Sequence, residues 1–102
     1  MDTSQTVKVV NRSIIAFTEY WLSPSYTRKF NQNLAALASK FPSWSQQILQ
    51  AEDNKDIIKR FNVEYLPAIV IYQEEEKFQV FDGNSLLKPL TFHIRKINDQ
   101  EN

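Results

Sequence analysis

The most constraining feature of the chain is a change of hydrophobic period across Pro24. "SIIAFTEY", residues 13–20, is a continuous β-branched and aromatic run, as a strand buried on both faces requires. Beyond Pro24, Tyr26, Phe30, Leu34, Leu37 and Phe41 recur every three or four residues, which predicts one apolar stripe along a helix. Pro24 suits a helical first turn, where its missing N–H costs nothing, and Phe41-Pro42 ends the helix. A buried strand running into an amphipathic helix is half of a βαβ unit, and the rest of the chain is read as its continuation.

Val7, Val9 and Val10 are expected to form a short opening strand. "SWSQQILQAE", residues 43–52, reads as a strand centred on Ile48 and Leu49. Asp53 or Asn54 is positioned to cap a helix burying Ile57, Ile58 and Phe61. "PAIVIYQ", residues 67–73, is apolar enough for a central strand. Glu74, Glu75 and Glu76 make a solvated hairpin turn, and "KFQVFDG" alternates as a half-buried antiparallel strand. A closing helix starts near Ser85, with Leu86, Leu90, Phe92 or His93, Ile94 and Ile97 facing inward and Pro89 in its first turns. The expected fold class is α/β: a three-layer sandwich with a mixed sheet of four to five strands flanked by helices.

At 102 residues the chain is read as one domain, 1–102. Twelve basic residues balance twelve acidic ones, so no broad electrostatic footprint for nucleic acid or an anionic membrane is expected. The N-terminal segment has no signal-peptide core, and no run reaches membrane-spanning length, so the cytoplasm is the expected location. There is no cysteine. A disulfide, a thiolate nucleophile and a cysteine-ligated metal are therefore excluded, and no cofactor or metal is expected.

Placed in this order of elements, Trp21-Leu22-Ser23-Pro24-Ser25 resembles the Trp-Cys-Gly-Pro-Cys turn of the thioredoxin family. Leu66-Pro67 in "VEYLPAIVIY" is similar to that family's cis-proline step before the central strand, and Gly83, the only glycine, matches its glycine after the hairpin. The resemblance covers nearly the whole chain and implies a thioredoxin-like fold. It also marks what has been lost. Leu22 and Ser25 stand at the two cysteine positions, Ala16 where the family has a buried Asp, and Ile48 near its accompanying Lys. Thiols, acid and lysine are missing together, which implies a redox-inactive member without thiol–disulfide exchange.

No catalytic residue is assigned. A serine nucleophile needs a base. The one histidine, His93, lies in the closing helix with no sequence reason to meet Ser23 or Ser25. The blander role for these serines is to end the strand and cap the helix. What the resemblance leaves is a peptide groove between the turn and the proline loop, made by Tyr20, Trp21, Leu22, Ser23, Pro24, Ser25, Tyr65, Leu66 and Pro67. An extended peptide there would pair with backbone beside the proline. The resemblance thus implies a monomeric binding module for a protein or extended peptide segment, acting as adaptor, chaperone-like factor or assembly factor. The alternative is a small-ligand (glutathione-like) binder, or a serine- or tyrosine-assisted enzyme of the same fold. Against both stands a plain scaffold, in which Trp21 packs on its own elements and Tyr26 belongs to the core stripe.

Overall fold

A computed structural model describes residues 9–75 and 77–100. Their elements run β1 (Ser13–Thr18), α1 (Arg28–Lys40), β2 (Ser45–Gln50), a 3-10 turn (Ala51–Asn54), α2 (Lys55–Arg60), β3 (Ala68–Glu74), β4 (Lys77–Asp82) and α3 (Leu87–Gln100). The four strands form one sheet in the order β2-β1-β3-β4. β1 is parallel to β2 and antiparallel to β3, and β3 is antiparallel to β4. Among the described residues the sheet therefore has four strands, the lower of the two expected numbers.

β1 and β3 read as unbroken apolar runs because both their faces are covered. Ile14, Ile15, Ala16 and Phe17, with Ala68, Ile69, Val70 and Ile71, are all fully buried. Strand alternation divides them into two layers. Ile14, Ala16, Ile69 and Ile71 meet Phe30, Leu34, Leu37 and Phe41 around α1, and Leu90, Ile94 and Ile97 of α3. Ile15, Phe17, Val70 and Tyr72 meet Phe61, with Ile57 and Ile58 of α2, and Phe78 and Val80 of β4, at the margin. Each fully buried side chain of this size stabilises the fold by roughly 1.5–3 kcal/mol. Trp44 is also buried, and its indole N–H donates to Asn98 Oδ1 at 3.1 Å, so it is a structural anchor.

Several expectations are corrected. Val9 and Val10 lie in no strand, and Val7 falls outside the described residues. Arg12, with φ of 62°, kinks the chain just before β1. Its N–H donates to the Gln73 carbonyl and its own carbonyl accepts from Ser45 N–H, both at 3.0 Å. α1 begins at Arg28 rather than Pro24. Residues 23–27 form a turn, with the Tyr26 and Thr27 N–H groups donating to the Ser23 carbonyl at 3.0 and 3.1 Å. Tyr26 is consequently 53% exposed, and the buried stripe starts at Phe30. β2, by contrast, is a strand around Ile48 and Leu49 as expected; it lies at the edge of the sheet, and Ile48 is exposed. Asn54 is the residue before α2 but makes no side-chain cap; its amide donates to the Gln50 carbonyl at 2.8 Å instead. α3 begins at Leu87, leaving Leu86 outside the helix and exposed, and Phe92 projects outward. Among the hairpin glutamates, Glu74 belongs to β3, Glu75 turns with φ of 48°, and Glu76 is not among the described residues.

Candidate functional site

The site is built where the turn after β1 meets the loop before β3. The Leu22 N–H donates to the Glu19 carbonyl at 3.0 Å, closing a first tight turn. The Ser23 hydroxyl accepts the Tyr26 N–H at 3.2 Å, and the Ser23 and Ser25 oxygens are 3.3 Å apart. Across from this turn the Leu66–Pro67 peptide bond is cis. The two segments touch: the Tyr26 hydroxyl donates to the Leu66 carbonyl at 3.4 Å.

The loop after β4 locks the pair in place. Gly83 N–H donates to the Pro67 carbonyl at 2.8 Å. A methyl group on Gly83 would stand 2.6 Å from Phe30 Cδ1 and 2.9 Å from both the carbonyl carbon and oxygen of Pro67. Glycine is needed there for close approach, since its φ is not positive. Buried Asn33 donates to the carbonyls of Gly83 at 3.0 Å and Ser85 at 2.8 Å. Asn84 accepts the Phe30 N–H and donates to the Tyr26 carbonyl, both at 3.0 Å. The turn, the start of α1, the proline loop and the post-hairpin loop are thus one hydrogen-bonded unit.

A cleft of about 610 Å³ opens beside it. Of the residues singled out in the sequence, Trp21, Leu22, Tyr65 and Leu66 line it. Trp21 is 65% exposed, so it does not pack into the core as a plain scaffold would have it. Tyr20, Ser23, Pro24 and Ser25 are exposed but lie outside the cleft wall, and Pro67 is buried beneath it. Tyr26, displaced from the core stripe, joins the lining. The opposite wall, made by Ala51, Glu52, Lys55, Ile58, Val63 and Glu64, was not anticipated.

The most informative omission is Glu19. It is only 5% exposed and contributes to the cleft wall. Its Oε2 accepts the Glu52 N–H, while Oε1 is buried with no partner among the described residues. The signal available in the sequence was an acid immediately following a both-faces-buried strand.

The chemistry of thiol exchange is absent at every position that would support it. Ala16 and Ile48 are direct cross-strand partners, so the sites of the missing acid and lysine face each other as two apolar residues. Nor is a serine activated. His93 packs edge-on against Phe81, with ring centroids 5.5 Å apart, and lines a separate hollow with Ile71, Gln73 and Lys77. Burial, and then the Lys96 charge, lowers its pKa below the ordinary histidine value. No group of three or more His, Asp or Glu among the described residues is placed to hold a metal ion. No helix among them is long and apolar enough to cross a membrane.

Sheet order, mixed strand directions, a strand–turn–helix at residues 13–40 and a cis proline facing the turn define the thioredoxin fold. Solved structures bear this out. The chain is similar to thioredoxin from Trypanosoma brucei brucei, at TM-score 0.71 and 21% identity, over 87% of this chain and 76% of that one. It is also similar to thioredoxin 1 from the thermophilic eubacterium Thermosipho africanus, at TM-score 0.70 and 16% identity, over 88% and 98%. For Fasciola hepatica thioredoxin the values are 0.68 and 19%, over 84% and 80%. No family model matches the sequence, and neither does any curated protein. With this fold and without cysteine, the chain is thioredoxin-like and has no thiol with which to exchange disulfides.

Proposed function

We propose that this protein is a non-catalytic binding module that seats an extended segment of a partner protein in the cleft between the Leu22 turn and the Pro67 loop. The observation that carries the reading is the aromatic frame. Tyr20, Trp21, Tyr26 and Tyr65 are each at least half exposed, beside a cleft bounded by Leu22 and Leu66. Exposing three large aromatic side chains in the cleft lining, with Tyr20 next to them in sequence, is costly for a small domain and suits contact with a partner. Among the described residues the Leu66 carbonyl is held only by the long Tyr26 hydroxyl contact, so an incoming N–H can replace it and pair the guest with the backbone beside the proline. The module acts as an adaptor, chaperone-like factor or assembly factor, as a cytoplasmic monomer, and neither nucleic acid nor a membrane is its target. The glutathione-like or enzymatic alternative has no activated hydroxyl in its favour.

The test is titration of the isotopically labelled chain with a panel of extended peptides, followed amide by amide. Shifts confined to residues 19–26 and 51–67, lost in Leu22→Asp, are the expected result. Leu22 is only half-buried, so the substitution leaves the core untouched. Shifts elsewhere, or none with any peptide, would refute the reading.

A further inference from the structure

Resting on the binding reading above, we infer that the segment seated in the cleft carries a lysine or arginine, whose head group donates to the unpartnered Glu19 Oε1. Three facts lead there. A carboxylate oxygen withdrawn from water without a donor is costly, and native folds rarely keep one idle. The other oxygen is already committed to the Glu52 N–H, which fixes the carboxyl in place and leaves Oε1 as the vacant acceptor. The cleft wall is also acidic in balance, with Glu19, Glu52 and Glu64 against Lys55 alone. That charge complements a cation and repels an acidic segment.

The surrounding surface suits the stem of such a residue. Leu22, Leu66 and Ile58 offer apolar contact for a chain of methylenes, with the charge carried at the tip. Oε1 is closed to water, so the head group reaches it by displacing side chains at the mouth. Trp21 and Tyr65, at 65% and 50% exposed, are the ones with room to move. Changes of side-chain rotamer on this scale are ordinary on binding. Once inside, the cation makes a charge-assisted hydrogen bond in a place where water competes poorly.

The experiment uses the full chain and matched peptides, Ac-Val-Leu-Xaa-Leu-Val-amide, in which Xaa is arginine, lysine, citrulline or norleucine. Citrulline keeps the shape of arginine and removes its charge. Arginine and lysine peptides are expected to bind about tenfold or more tighter than their neutral counterparts, the range of a hydrogen bond to a charged group. The Glu52 amide, bonded to the same carboxyl, should shift with the charged peptides only. In Glu19→Gln the preference should collapse. If Glu19→Gln does not fold, the arginine-to-citrulline ratio in the wild type decides, together with the shift of the Glu52 amide. Equal binding of arginine and citrulline in the cleft, or a preference that survives Glu19→Gln, overturns this inference alone. Absence of binding by all four peptides overturns both it and the binding reading.

Discussion

Replacing Gly83 with alanine tests the joint on which the site depends. The added methyl would lie 2.6 Å from Phe30 Cδ1 and 2.9 Å from the Pro67 carbonyl atoms, against about 3.5–4 Å for carbon atoms at rest. Neither neighbour yields easily. Phe30 is 1% exposed within the α1 layer, and the Pro67 carbonyl is tied back by Gly83's own N–H at 2.8 Å. Overpacking of this kind costs about 1–3 kcal/mol. Stretching the buried hydrogen bond adds about 1 kcal/mol. Since the φ of Gly83 is not positive, alanine also recovers about 0.4–1 kcal/mol by restricting the unfolded chain. The net loss is about 1–3.6 kcal/mol, and at roughly 4–8 °C per kcal/mol for a domain of this size, Tm should fall by about 4–29 °C. Thermal and urea unfolding, monitored by circular dichroism, measure it. A variant within a few degrees of the wild type, or above it, would refute the claim that Gly83 is there for close approach.

Two further outcomes follow from the geometry. Leu22→Cys with Ser25→Cys is expected to form an intramolecular disulfide on mild oxidation, read by mass and by loss of free thiol, as the resemblance of this turn to Trp-Cys-Gly-Pro-Cys implies; failure to bridge would refute that turn geometry. Insulin reduction by the pair should stay poor, as Ala16 offers no proton relay. For His93, the folded pKa lies below the unfolded one, so above pH 6.5 both states are neutral and nothing is lost. As pH falls below 6.5 the unfolded chain takes up the proton first, and stability drops until the lowered folded value is passed. Urea titrations between pH 7.5 and 5 should show this decline in the wild type and a shallower one in His93→Gln.

The fold was legible where one physical demand dominated. The central positions of β1 and β3 must be apolar because both faces are covered there, and Ile14 to Phe17 and Ala68 to Ile71 are accordingly without exposure. Period alone also found Phe30, Leu34 and Leu37. It overreached at Tyr26, since correct spacing does not say where a helix begins, and of the pair Phe92 or His93 it is His93 that turns inward. The start of α1 was set instead by Ser23, whose carbonyl and hydroxyl draw the next residues into a turn. A third of the cleft lining could be read, as Trp21, Leu22, Tyr65 and Leu66. The α2 wall could not, because Glu19 meets Glu52 only after β2 has been laid alongside β1 in register. Asn33 and Asn84 escaped for the same reason: their partners lie fifty or more residues away along the chain.

The clamp made by Asn84 has a consequence for recognition. By joining the first turn of α1, the Tyr26 carbonyl and the loop beyond β4, it would give the binding module proposed above a seat that is shaped before any guest arrives. The freedom surrendered on association then belongs mainly to the guest. Strength of attachment should accordingly follow how stiff the incoming segment is when alone, and the tightest guests should be those already held straight by a proline or a hairpin of their own.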